Sequence, residues 1–417
     1  MQSDSSDDDD DDDTDLLSVA EHLCLASALL SSRNNKITRS RIRWQQHVQL
    51  LLHENQFHVM YRMSLRSFNK LLELLSPTLQ LNERFGMLSS GEPITCENML
   101  HCTLRFLAGG SYHDIRQSAS ISKASFYRII WHTITTINNC ASLAIKLPTA
   151  IDELTAVADG FKSKSTGEGA MTGCVGSLDG FLLRIKAPSH AECGNVPAYY
   201  SGHYCCYGIN VQAMCDSECR LLFYSLAGPG KSNDARAIKK TGLLKWIEDL
   251  PPGYFVSCDC AYSITEHLLG PYSGPERFLE KNDSFNFYLS QLRIRIEMCF
   301  GLMVTKWRIL TMPLCIRLCN VPLLFGAIAI LHNYCINERE TPIKLTKVYR
   351  VPAQMQQPHD PTILGYVPSD APNVVSREGT SILRDVLSAH IHKLNLKRPM
   401  TESLRSALMQ KRKVLFD

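Results

Sequence analysis

The sequence predicts an α/β fold with a mixed-sheet core, preceded by a small all-helical unit, and three observations carry that prediction. Apolar residues recur at helical spacing up to about residue 147, and beyond residue 172 the period shortens to that of strands. Three strand-like runs, a helix and a fourth strand then follow in that order. Finally, FNFYLSQLRIRIEMCFGLMVTKW, from Phe285 to Trp307, gathers Phe285, Leu289, Leu292, Ile296, Phe300 and Met303 into one stripe, so it should be a helix buried along one face.

Taken in order, Met1 to Asp15 holds nine aspartates and no base, too charged to collapse. This tail either mimics nucleic acid or keeps the chain soluble. Without it the net charge of +3 becomes +12, a balance that suits a polyanionic partner. Leu16 to Leu30 can form a helix. Arg33, Lys36, Arg39, Arg41 and Arg43 then form a basic segment that reads as a phosphate-contacting arm, a nuclear import signal or a solvated charge run. Residues 16–147 are expected to be helical, with FHVMYRMSLRSFNKLLELLSPTL and ENMLHCTLRFLAGG the clearest amphipathic runs. Within them, residues 111–133 divide into two helices about Ser120-Ile121-Ser122. Ser111 and Ser122 stand where N-caps belong, and Ile115, Ala119, Ile121, Phe126 and Ile129 should face inward. That is the outline of a helix-turn-helix, whose second helix would offer Lys123, Ser125 and Arg128 to a major groove. Residues 148–172 read as a connector.

The sheet should comprise Gly173 to Ile185 with Asp179-Gly180, Tyr207 to Met214, Arg220 to Ala227 and Tyr254 to Cys258. Cys215 to Cys219 closes a hairpin with Asp216 in its turn, a helix begins near Asp234, and Asp283 caps the long helix. Residues 341–417 form a C-terminal extension with a helix from Thr380 to Leu394. Its basic clusters, Lys397-Arg398-Pro399 and Lys411-Arg412-Lys413, suit nuclear entry or phosphate binding.

The 16 cysteines are scattered, which is no disulfide framework in a chain of 417 residues. His190, Cys193, His203 and Cys205, with Cys215 and Cys219 beyond, do not make regular zinc knuckles. The sequence shows no uninterrupted apolar run of membrane-spanning length and an acidic N-terminus, so a soluble intracellular protein is expected.

Three acids from three elements can converge: Asp179 on the first strand, Asp259 after the fourth, Glu297 on the long helix. Glu297 is either a ligand or a border residue paired with Arg293, one turn away, with Arg295 flanking. Carboxylates beside hydrophobic strands are costly to desolvate unless paired, and hard oxygen ligands favour Mg²⁺ or Mn²⁺. Two such ions can activate a water and stabilise the leaving oxygen in phosphodiester cleavage.

The runs YYSGHYCCYGINVQAMCD, GPGKSNDAR, CDCAY, FNFYLSQLRIRIEMCFG with TKWRI, and LHNYC occur in an order that resembles the DDE nuclease domain of PIF/Harbinger-type transposases and the nucleases derived from them. The resemblance covers residues 60–340. It implies an RNase H-like catalytic core over residues 173–340, with Asp179, Asp259 and Glu297 as the acidic triad. Asp234 of SNDAR competes with Asp259 for the middle position or supports it. Cys258 and Cys260 flank Asp259 where the family carries glycine and a small polar residue. His332 and Asn333 are expected as a structural cap against the site. Arg293, Arg295, Lys306 and Arg308 are candidate DNA contacts, and Trp307 either joins them or closes the core. The resemblance further implies DNA as substrate, a Myb-like accessory protein, a homo-oligomer and a nuclear location, with the cytoplasm second. The rivals are a catalytically silent, domesticated DNA-binding protein and an RNA-directed nuclease.

Overall fold

The computed structural model describes residues 39–80, 92–167, 169–340, 379 and 381–399. The acidic tail, the Leu16 to Leu30 helix, Arg33, Lys36 and Lys411-Arg412-Lys413 lie outside them.

Among the described residues six helices come first: α1 (Trp44–His53), α2 (Phe57–Tyr61), α3 (Leu65–Leu79), α4 (Cys96–Leu107), α5 (Tyr112–Ser118) and α6 (Lys123–Asn139). Ser122 caps α6 as expected, its Oγ accepting from Ser125 N at 3.1 Å. Ser111 makes no side-chain cap to α5. Ile115, Ala119, Ile121, Phe126 and Ile129 are all buried. The stretch expected as a connector contains α7 (Ile151–Lys164). Leu154, Ala158 and Phe161 recur at i, i+4 and i+7 and bury one face, and the Glu153 carboxylate accepts from Thr149 N and Ala150 N at its start.

The sheet runs β3–β2–β1–β4–β5. Its strands are β1 (Cys174–Arg184), β2 (Cys206–Cys215), β3 (Leu221–Pro229), β4 (Phe255–Ser257) and β5 (Leu268–Leu269), and a short strand at Tyr200–Ser201 pairs antiparallel with the start of β2. β1 is antiparallel to β2 and β2 to β3, whereas β1, β4 and β5 are parallel. Asp216 takes its expected place in the β2–β3 hairpin, accepting from Glu218 N and Arg220 N. Helices α8 (Asp234–Ile238) and α9 (Leu243–Glu248) pack with α7 on one face, around Leu178, Met214 and Ile247.

The long helix, α10 (Glu280–Lys306), covers the other face. All six residues of its expected stripe are buried. It starts earlier than the stripe suggests, so Asp283 lies inside its first turn beside Glu280, where both favour the helix dipole, and Asp283 pairs with Arg398. The last of the described helices are α11 (Val321–Asn337) and α12 (Ile382–Lys393), the latter packed on α10. Leu318–Asn337 has the length and apolarity of a membrane span, contrary to expectation, but 67% of it is buried inside the protein. α11 is therefore a core helix, and its apolar run packs against protein. Phe325 and Ile328 share one hydrophobic cluster with Phe126 and Ile130 of α6 and with Val211 of β2, so the helical unit and the sheet have a continuous core.

Candidate active site

The first acid is positioned by strand pairing. Ser177 of β1 pairs in parallel with Ser257 at the end of β4, and two residues on, just past that strand, Asp259 comes near enough to Asp179 for its charge to act on it. Asp179 is buried, at 4% exposure, and its Oδ1 accepts from Gly180 N at 2.8 Å. Asp259 Oδ1 accepts from Ala261 N at 2.9 Å. Burial pushes the Asp179 carboxyl up to about 8, and the Asp259 charge adds to the shift. The Gly180 N–H and Arg293 pull the other way, and Asp234 adds a smaller push.

Helix α10 crosses β1 at this point. Ser177 Oγ donates to Arg293 O at 3.2 Å, and the Phe181 and Phe300 rings lie 5.1 Å apart. Ser177, Asp179 and Phe181 alternate onto the face under α10, the helix that carries Arg293 and Glu297. Arg293 Nη1 and Glu297 Oε1 are 2.9 Å apart, an ion pair whose angles miss hydrogen-bond geometry. The expected Arg–Glu pair is thus present and holds the third acid. Among the described residues, no three His, Cys, Asp or Glu side chains stand close enough to hold a metal ion together. The donor set nevertheless fits a hard divalent cation, because a buried carboxylate stands against a second carboxylate, and each raises the cost of charging the other.

The Asp234 carboxylate lies beneath the strand. Gly180 faces it, and any Cβ at residue 180 would collide with it, which explains the glycine. Gly180 pairs with Gln212 across the sheet. Asp234 Oδ1 accepts from Gln212 Nε2 and Asn210 Nδ2, both at 2.9 Å, and Gln212 Oε1 accepts from the Tyr262 hydroxyl at 2.8 Å. Alternation puts this network on the opposite face from Asp179. Sequence reasoning missed Asn210, Gln212 and Tyr262; two polar amides two residues apart within the apolar run GINVQAM were the available signal.

The sequence pattern of the DDE superfamily endonuclease family matches residues 178–333, a span that includes Asp179, Asp234, Asp259 and Glu297. Over this span the chain is similar to DDE endonucleases, and two relatives support a Harbinger-derived origin. It is 22% identical over 351 residues to "Protein ALP1-like" of Arabidopsis thaliana, covering 80% of each chain. It is 24% identical over 223 residues to "Putative nuclease HARBI1" of Rattus norvegicus, covering 52% of this chain and 60% of that one. No solved structure matches it.

Other residues of the DDE domain take places the sequence left open. His332 Nε2 lies 2.8 Å from Cys219 O, and the Asn333 amide bonds both N and O of Leu221. The pair clamps α11 to the β2–β3 hairpin, a structural role as expected. Burial and the neighbouring Asp259 hold the Cys258 thiol well above its ordinary range, and the Cys260 thiol is also raised, so both stay protonated and poorly reactive. Trp307 is fully buried and closes the core. Lys306, expected at the DNA backbone, is buried beside Cys335 and Glu340, because three residues past Met303 the helix returns to its inner face. Arg308 is half-buried and packs on Gly109 of the helical unit. Arg295 is half-buried, with Nη1 3.9 Å from Met298 Sδ. Lys123 and Arg128 are exposed on α6, away from the sheet, and Ser125 Oγ accepts from Ser122 Oγ.

Proposed function

We propose that this chain is a DNA endonuclease of transposase type that works with Mg²⁺ or Mn²⁺ held by Asp179, Asp259 and Glu297. The observation that carries the reading is the parallel β1–β4 pairing, which brings Asp259 near enough to act on Asp179 beneath the helix bearing the third acid. The sheet order, with an antiparallel trio joined through β1 to two parallel strands, supports an RNase H-like core. A cation held there would activate a water or a DNA 3′-hydroxyl for attack on the phosphodiester and would stabilise the leaving oxygen. Asp179 and Asp259 fix its position from the sheet. Glu297 joins them on leaving Arg293, whose guanidinium is then free for a scissile-phosphate oxygen. Asp234 takes a supporting place, holding Asn210 and Gln212 of β2 beneath Gly180 of β1.

The α5–α6 pair serves as a helix-turn-helix that presents Lys123, Ser125 and Arg128 to duplex DNA. A nuclear location, a Myb-like accessory protein and self-association complete the reading. The Arg293–Glu297 pair favours a second reading, a DNA-binding protein whose third acid is permanently neutralised.

Cleavage of supercoiled and terminal-repeat DNA by the full chain with Mg²⁺ or Mn²⁺ separates the two. Activity lost in Asp259→Asn and Glu297→Gln but only reduced in Asp234→Asn supports the assignment. The opposite order moves the middle ligand to Asp234. Salt-dependent binding without cleavage, with the accessory protein supplied, selects the silent reading.

A further inference from the structure

The turn between α5 and α6 is built on an unusual residue. Ser120 has φ 51°, the left-handed conformation usually left to glycine. Ser120 N donates to Gln117 O and Ile121 N to Arg116 O, the paired bonds that close a helix C-terminus. The carbonyl of Ser120 is then turned away from both helices, and Arg41, far earlier in the chain, takes it. Arg41 Nη1 donates to Ser120 O at 2.5 Å, and its Nε donates to Glu92 O at 2.9 Å. One planar guanidinium thus staples the basic segment to the turn just before Lys123.

The neighbours of Arg41 are thereby placed. Arg43 is exposed and Arg39 half-buried. The Arg39 charge is close enough to act on Arg41. Arg41 meets the turn just before α6, whose Lys123 and Arg128 are exposed, so two distant parts of the sequence bring cations to one turn.

Resting on the helix-turn-helix reading, we propose that residues 39–43 form a DNA-contacting arm, with Arg39 and Arg43 meeting phosphates that flank the duplex groove entered by α6 and Arg41 acting as the positioning residue that docks the arm on the Ser120 turn. Duplex DNA is the partner this surface fits, because its cations are spread along an extended segment and a helix start.

The test is binding of the full chain to a labelled mixed-sequence duplex over a range of salt concentrations, with thermal melting of every variant. Removing both cations in Arg39→Ala/Arg43→Ala should lower the slope of log K against log salt by roughly 1.8, about 0.9 for each phosphate that is no longer neutralised. Arg41→Lys keeps the charge but not the fork that reaches two carbonyls, so it should lower the slope similarly. A positional loss without a charge loss is what a merely electrostatic role for Arg41 would not give. The double variant leaves both carbonyl bonds in place and so remains informative should Arg41→Lys melt the turn. Unchanged slopes in the double variant overturn the arm, and an unchanged slope in a well-folded Arg41→Lys overturns the docking role. If Lys123→Ala/Arg128→Ala lowers the slope while the arm variants do not, only the arm falls. If none of them lowers it, the helix-turn-helix reading falls as well.

Discussion

Two aspartates lie on opposite faces of β1, and their surroundings differ. Asp234, below, has two amides on one oxygen and a tyrosine behind them. Asp179, above, is more deeply buried, has one backbone N–H and faces a second carboxylate. An acid whose hydrogen-bond needs are met by its neighbours holds the structure together. An acid forced against another acid is poised to take a cation. The residue type is the same, and the surroundings assign the roles.

The comparison breaks most visibly in activity. Asp179→Asn should lower metal-dependent cleavage by roughly 10³-fold or more, since a catalytic cation supplies several kcal/mol. Its metal-free melting temperature should rise, because the repulsion with Asp259 is gone. A fall in melting together with retained cleavage would place Asp179 among the structural acids. Asp234→Ala should do the reverse, costing on the order of 3 kcal/mol in urea unfolding because it strands two amides, with cleavage reduced only in proportion to folded protein. Gly180→Ala pushes a methyl into the same carboxylate and should cost about 1–3 kcal/mol.

A smaller effect comes from the helical unit. There the half-buried His47 and the buried Tyr61 and His101 form a hydrogen-bonded chain, with the Tyr61 hydroxyl 3.0 Å from His47 Nε2 and 2.6 Å from His101 Nδ1. Burial, with His47 and Arg105 nearby, lowers His101 to about 3. The unfolded chain binds this proton near pH 6.5 and the folded one does not, so stability should be lost as pH falls from about 6.5 toward 3. His101→Asn should flatten that loss in acid-unfolding curves. An unaltered pH dependence would mean that other groups set it.

Much of this was legible in advance because it rests on local periodicity. The six-residue stripe of α10 and the five inward residues of α5–α6 need only helical spacing, and all are buried. The triad candidates were visible as acids at strand ends and on a helix. The role of Asp234 was not, since it depends on Gly180 and Gln212 being cross-strand partners. β5, at two residues, is too short to carry any period. α7 was obscured by the Gly/Ser/Lys-rich segment that follows it. The burial of Lys306 and the reach of Arg41 to Ser120 are tertiary facts with no local signature.

The continuous core through α6, α11 and β2 has a mechanical consequence. Tyr334 at the end of α11 donates to Ser67 O at 2.6 Å, and the Glu340 carboxylate holds Ser64 and Ser67. The helical unit is thus bolted to the unit that carries the sheet at several points and does not hang from it by a tether. Under the proposed function, the element that grips DNA and the acids that cut it form a ruler of fixed length. The scissile bond would lie a set number of base pairs from the bound sequence, whatever the sequence between.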